Sequence, residues 1–429
     1  MKFKNKLYLN IENLPLSADL KNKVKFIFSD KIGIINAILE RYEYRKFGLF
    51  CFQSLSSQTT VLFDTEREVS SGGLGISTNR QEALMGSIGE AIERYCMSYV
   101  SEDKLIYCRY NEIDNKFKPR RLELYTPYQY KKFKLFLSNP YKDKIHWIKI
   151  KSIINQGKLI YWPASLVYLP FNMSKPVAEN TSTGLSSHFS IKEAIKRGIL
   201  EVIERDALMI NFYRQLDPPE IDLDSITDSS LKFYIDKIKE KSFNYKLYLL
   251  YTDVKIPVCL GYIWKIYKDN LHFGIGACAA LSLKEAIIKT IKECLFTYYY
   301  SKNLMGLKPK NKFEINALYE HFLFYQDKKF FKLLFKSGKI PYRPWKVSFN
   351  YLLKTLKKEN LDAFYVDLTT KDVFKTGLRV VRVVIPGMID INKNYFLVRQ
   401  AASRFYSVPQ KLKLKPRLRK LYNLPHPFP

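Results

Sequence analysis

The stretch from Ser190 to Arg205 reads SIKEAIKRGILEVIER, and its spacing decides how the chain around it is built. A Glu193-Ala194 pair is followed by Glu201 and Glu204, with Ile195, Ile199, Val202 and Ile203 interleaved. At about 100° per residue on a helix, the three acids fall within about 80° of one another and the apolar residues lie largely opposite. The core can hold such a helix by one face while its carboxylates point elsewhere. The pattern occurs twice more. NRQEALMGSIGEAIER from Asn79 carries Glu82, Glu90 and Glu93, with Ile88, Ala91 and Ile92 on the far side. SLKEAIIKTIKECLFT from Ser282 keeps Glu285 and Glu293 but has Phe296 where the last acid stands in the other two.

A single Glu-x-x-Glu pair on an amphipathic helix is usually a solvated face. Here two full copies each end in Glu-Arg, and each follows a segment of small residues, SSGGLG at Ser70 to Gly75 and TSTGLSS at Thr181 to Ser187. Recurrence of the whole unit argues against coincidence. Glu90, Glu93, Glu201 and Glu204, brought together across two helices, would repel strongly unless cations lay among them. Hard oxygen donors of this kind suit Mg²⁺, which takes few protein carboxylates and completes its shell with phosphates and water. A nucleotide site is the expectation.

At these residues the chain resembles the YcaO family. The marks are SGGLG followed by GSIGEAIERY, STGLSS followed by EAIKRGILEVIERDA, and the weaker GIGACAALSLKEAIIKTIKE. YVDLTTKDV, VVRVVIPGM and the terminal PHPFP complete them, so the likeness runs from about residue 30 to the end. It implies an α/β fold of repeated strand-helix units, with acid-bearing helices around an ATP site. Residues 1–30 are then a leading segment and 31–429 the family domain, with a Pro-rich tail at 425–429.

The resemblance also implies chemistry. Members with such a tail look like cyclodehydratases that turn Cys, Ser or Thr of a ribosomally made precursor peptide into azolines. ATP and Mg²⁺ would be needed, the γ-phosphoryl going to the backbone amide oxygen. Glu90, Glu93, Glu201 and Glu204 match the family's magnesium ligands. Ser182, Gly184, Glu193, Arg205 and Lys289 match positions around the nucleotide. Arg205 and the terminal carboxylate of Pro429 match catalytic positions, the latter as a base. The implied partners are the precursor peptide and a separate E1-like or leader-binding protein, with room for an FMN-dependent dehydrogenase acting later on the azoline. A homodimer stays open. Thioamide formation and ribosomal-protein methylthiolation are alternatives within the family, and a catalytically degenerate homologue that holds the precursor as a scaffold is an alternative of a different functional class.

Some positions depart from the family pattern. Leu74 stands where Lys is common, His188-Phe189 where Gly-Asn is typical, Phe296 where Gln is frequent and Lys289 where Arg is. None of them replaces one of the four candidate metal ligands.

Composition narrows the rest. The chain has 429 residues, 47% of them hydrophobic, ample for a core. It lacks an apolar run of about eighteen residues and an N-terminal signal core, which predicts a soluble cytoplasmic protein. Its net charge of +30 comes from 71 basic against 41 acidic residues, the basic ones spread along the whole length with no nucleic-acid signature beside them, so a nucleic-acid partner is not expected. The densest basic run, KLKLKPRLRK at Lys411 to Lys420, reads as a solvated linker. Six scattered cysteines without a Cys-x-x-Cys pair read as buried thiols rather than a zinc or redox motif. Strands are expected in GLFCFQSL and VLFDT after Gly48, in the Tyr- and Lys-rich region of about 105–170, twice in YKLYLLYTDVKIPVCLGYIW, and in RVVRVVIPG. Residues of about 303–360 read as mainly helical.

Overall fold

The computed structural model describes residues 6–9, 11–29, 33–57, 72–119, 121–122, 124–134, 136–267, 270–304, 307, 311–326 and 328–428. VLFDT, Ser70, Ser71 and Pro429 lie outside the described residues. The class is α/β, with two compact units. The first comprises Met1–Arg120, Phe133–Ile199 and Ala363–Val384, and the second Arg121–Lys132, Leu200–Asp362 and Ile385–Pro429. The division falls inside the helix Ile191–Tyr213.

The first unit holds two antiparallel sheets. In one, the order is Lys6–Leu9, Ile35–Arg41, Phe50–Ser56 and Gly73–Ser77. In the other it is Leu105–Cys108, Ile145–Ser152, Phe364–Asp367, Arg379–Val384 and Leu185–His188, with Leu159–Pro163 also paired to Ile145–Ser152. The second unit holds one sheet, ordered Asn270–Ala279, Val258–Tyr267, Asn244–Leu249, Glu220–Asp222 and Lys339–Pro341, the last pairing parallel.

Each of the three acid-bearing segments is a helix, at Arg80–Ser98, Ile191–Tyr213 and Leu283–Asn303. Their starts are built alike. Asn79 Oδ1 accepts the Glu82 N–H at 3.0 Å and Ser282 Oγ accepts the Glu285 N–H at 3.2 Å, both N-caps. Ala83, Ala194 and Ala286 then donate to the carbonyls of Asn79, Ser190 and Ser282, each at 3.0 Å. Ile88, Ala91, Ile92, Ile199, Val202 and Ile203 are buried as the helical period requires; Ile195 is half-buried.

The small residues before the helices have a packing role. Gly73 and Gly75 lie two apart on one face of their strand, and a Cβ on either would meet backbone of the Arg80–Ser98 helix, 2.0 Å from Ser87 O or 1.9 Å from Ala83 O. Gly274 and Gly276 repeat this beneath Leu283–Asn303, where a Cβ would stand 2.0 Å from Cys294 O or 2.6 Å from Thr290 O. In the third instance the glycine is on the helix: a Cβ on Gly198 would lie 2.8 Å from Gly184 O. Backbone thus rests on backbone, which draws each acidic helix close to its strand.

Two expectations change. Among the described residues of 303–360 the longer helices are Leu318–Leu323 and Phe349–Lys358, with short 3-10 turns at Lys312–Glu314 and Lys328–Lys332 and much irregular chain between, because Gly338, Pro341 and Pro344 interrupt the helical pattern. After the two strands foreseen around Tyr245 to Trp264, a third, Asn270–Ala279, completes a meander that its glycines concealed. Of the cysteines, all free, only Cys108 escapes full burial, and burial pushes the Cys51 and Cys96 thiols up to about 12. Among the described residues no helix is long and apolar enough to cross a membrane.

Candidate active site

Within the first unit, Glu90 and Glu93 lie one turn apart on Arg80–Ser98, and each has an oxygen anchored by backbone. Glu90 Oε2 accepts the Leu74 N–H at 2.8 Å while its Oε1 pairs with Arg94 at 2.7 Å. Glu93 Oε1 accepts the Ser187 N–H at 2.7 Å. Leu74 and Ser187 belong to strands that end their sheets, so these amides lack a strand partner on that side. The amide of Leu74, not its side chain, makes the contact, so the departure from Lys leaves it intact. Ser182 O accepts the Leu185 N–H at 2.9 Å, and Gly184, at φ +80°, accepts from Val383 N at 2.7 Å. Glu193 pairs with Lys196, which holds its carboxyl below the usual range.

The second unit repeats the device. Glu204 Oε2 accepts the Ala279 N–H at 3.0 Å and Glu293 Oε2 accepts the Ala277 N–H at 2.8 Å, both amides of the terminal strand Asn270–Ala279. Glu90 and Glu293 each reach a residue sixteen positions back. Glu93 and Glu204 each reach two residues further along the strand that precedes the next acidic helix. Phe296, in the place of a third such acid, stacks on Tyr300 with centroids 6.0 Å apart.

Electrostatics in this unit are unbalanced toward acid. Burial raises the Glu204 carboxyl to about 8; Arg205 and the Ala279 N–H oppose the rise while Glu293 and Glu201 add to it. Burial works against the Arg205 charge, but Glu204, Glu201, Glu293 and Asp390 outweigh it and hold the guanidinium above its usual pKa. Its ion pairs are long, 4.0 Å to Glu201 and 3.9 Å to Glu204, and its buried Nε has no hydrogen-bond partner. Lys289 pairs with Glu285 at 2.7 Å and stays about half exposed. Among the described residues no group of three or more His, Cys, Asp or Glu is close enough to hold a metal by itself. Mg²⁺ shared with phosphate needs no such cage.

The donors present fit a metal-nucleotide complex. They are hard oxygens, and those of Glu90, Glu93, Glu204 and Glu293 are already oriented by a hydrogen bond, as ligating carboxylates usually are. A cation would relieve the mutual repulsion of Glu204, Glu293 and Glu201, and an anion would partner the orphaned Nε of Arg205.

The tail belongs to the same unit. His426 is fully buried and Phe428 nearly so. Tyr325 donates to Pro425 O at 2.6 Å, His426 Nε2 meets Asn392 O at 2.7 Å, and the charge of Arg205 is felt at the His426 ring. Pro429 itself is outside the described residues.

Three residues here escaped the sequence reading as site groups. Glu293 had a signal, its register with Glu90 and Glu201. Asp390 and Arg399, paired at 3.2 Å, had none, because the loop after Val384 carries no periodicity.

A family model described as YcaO cyclodehydratase, ATP- and Mg²⁺-binding, matches residues 74–389. Among solved structures, a heterocyclase in complex with substrate and cofactor aligns with 96% of this chain at 18% identity and TM-score 0.76. The chain spans 57% of that heterocyclase's length. A chain of the E. coli microcin synthetase McbBCD complex with pro-MccB17 bound aligns over 99% of this chain and 100% of its own, at 15% identity and TM-score 0.64. YcaO from Methanopyrus kandleri, bound with AMPPCP and Mg²⁺, aligns over 82% of this chain and 85% of its own, at 16% identity and TM-score 0.58. Identities this low speak for the fold alone, whereas the family model covers most of the chain, and on that match the protein belongs to the YcaO family.

Proposed function

We propose that this chain is an ATP- and Mg²⁺-dependent cyclodehydratase that converts Cys, Ser or Thr of a ribosomal precursor peptide into azolines. The observation that carries the reading is the carboxylate set: Glu90, Glu93, Glu204 and Glu293 each have one oxygen fixed by a strand amide, and burial among acids raises the Glu204 carboxyl. The solved relatives support it, one a heterocyclase with substrate and cofactor and one a YcaO protein with AMPPCP and Mg²⁺.

Glu90, Glu93, Glu201 and Glu204 would hold Mg²⁺, with Glu293 joining them by its equivalence to Glu90. Ser182, Gly184, Glu193 and Lys289 would line the nucleotide. ATP supplies a phosphoryl group that turns the amide oxygen of the precursor into a leaving group. Arg205 would neutralise charge developing on that group, for which its unpartnered Nε is available. The carboxylate of Pro429 would accept the proton of the attacking side chain, and the packing of Pro425 and His426 would fix its approach. The balance is peptide plus ATP to azoline, ADP and phosphate, one water lost from the peptide per ring.

A separate E1-like or leader-binding protein is the proposed partner, supported by the McbBCD assembly with its bound precursor. A second reading, a precursor-binding scaffold, is favoured by Phe296 in place of a third acid. Precursor-stimulated ATP hydrolysis with loss of one water per ring supports the catalyst; tight precursor binding without either result supports the scaffold.

A further inference from the structure

Residues around 303–360 lie outside the repeated strand-helix units, yet Tyr325 and His321 from them both contact the tail. His321, on the short helix Leu318–Leu323, is fully buried. Its ring stacks on that of His426, with centroids 4.1 Å apart and planes 14° from parallel. Its Nδ1 faces His426 O at 3.2 Å and its Nε2 faces Lys393 O at 2.8 Å. The imidazole therefore touches the tail twice, by face and by edge, and joins it to the 385–394 loop.

That loop is fastened in turn to the helix bearing Arg205. The Ile389 N–H donates to Asp206 Oδ1 at 2.9 Å, and the Tyr213 hydroxyl donates to Asn392 Oδ1 at 3.0 Å. Asp206 is locked by Arg404, which also grips Asp253. The neighbouring loop carbonyl, Asn392 O, receives His426 Nε2 at 2.7 Å. Helix, loop and tail are thus linked in series, and His321 spans the last joint from the short helix Leu318–Leu323.

We infer that His321 is a positioning residue for the C-terminal tail, clamping the His426 peptide unit to the 392–393 loop so that the His426–Phe428 segment is held at a set place in the unit that carries Arg205. The inference rests on reading the tail as part of the active site. Lysine or leucine at 321 could not replace it, because the position asks for a flat ring on one side and a polar edge between two carbonyls. The neutral ring carries one N–H and donates to one of those carbonyls at a time, so it holds the tail either by a bond to His426 O or, when it bonds Lys393 O, by the stacked ring face.

Hydrogen exchange read by mass spectrometry on the full chain tests this. In His321→Ala, exchange of the peptide containing the His426 and Phe428 amides should rise about tenfold, the equivalent of one lost buried hydrogen bond. Exchange across Leu200–Tyr213 and binding of Mg²⁺ with AMPPNP should stay as in the native protein. His321→Gln, whose amide can still donate to Lys393 O, should restore most of the protection. Unchanged tail exchange in His321→Ala overturns the inference. If that variant does not fold, deletion of Leu424–Pro429 gives the reciprocal measurement: diethylpyrocarbonate should then modify His321, and continued protection would contradict the clamp. Absence of nucleotide binding in the native protein would sink the proposed function and leave the exchange result standing.

Discussion

Glu204 accepts the backbone N–H of Ala279 at 3.0 Å, and that contact reproduces, in a different sheet, the bond from Ser187 to Glu93 at 2.7 Å. In both, a helix acid serves the outward amide of a strand that has no neighbour on that side. Such an amide left unpaired and buried costs about 1–3 kcal/mol. The acids therefore have a structural duty beside the proposed catalytic one, and charge separates the two duties. A glutamine can accept the same hydrogen bond without the charge.

Glu93→Gln and Glu204→Gln are accordingly expected to keep folding stability within about 1 kcal/mol of the native protein, whereas the alanine variants should lose about 1–3 kcal/mol. ATP turnover should disappear in all four. Urea unfolding and a phosphate-release assay read the two effects separately.

The raised carboxyl of Glu204 sets a pH dependence. Its folded pKa of about 8 lies above its ordinary value, so the folded state holds a proton that the unfolded state has released. Its contribution to stability is complete below the unfolded value and is lost as pH rises through about 8. Mg²⁺ must displace that proton, so affinity for Mg²⁺ with AMPPNP should tighten between about pH 6 and about pH 9, with protons released on binding at the lower end. Calorimetry in buffers of different ionisation enthalpy counts those protons. A flat profile would remove Glu204 from the metal site.

Backbone contact beneath the helices predicts intolerance of a single methyl group. Gly75→Ala and Gly276→Ala should each lose about 2 kcal/mol or more, because the atoms met are backbone and cannot swing aside. Gly338→Ala, with open space around it, should be neutral or gain a few tenths of a kcal/mol. Thermal unfolding of the three variants makes the comparison.

Removal of Pro425–Pro429 should abolish cyclisation while the chain still folds. The loss of buried Phe428 and His426 should lower stability by about 2–3 kcal/mol, and the affinity for Mg²⁺ with AMPPNP should change little. Full cyclisation by the truncated protein would exclude a role for the chain end.

Much of this was legible in the chain itself, and the reason is periodicity. The three acidic helices follow from the spacing of Glu90, Glu201 and Glu293 against apolar residues, and they begin just after Asn79, Ser190 and Ser282 as the repeated pattern does. The burial of the tail follows from its apolar, stiff composition. What stayed hidden depends on pairings far apart in sequence: Glu93 with Ser187, Asp206 with Arg404, and His321 with His426. No local pattern announces such partners. The glycines that hid the strand Asn270–Ala279 lower strand propensity for the same reason that they are useful, since they lack a side chain to hold the helix away.

The most direct measurement is a crystal structure of the full chain with Mn²⁺ in place of Mg²⁺ and AMPPNP, using the anomalous signal to locate the metal. The account predicts a metal bonded at about 2.1–2.3 Å to a carboxylate oxygen of Glu90 or Glu93 and to one of Glu201 or Glu204, with phosphate oxygens completing its shell. Metal and nucleotide bound away from all four glutamates, or no binding at millimolar concentrations, would contradict it.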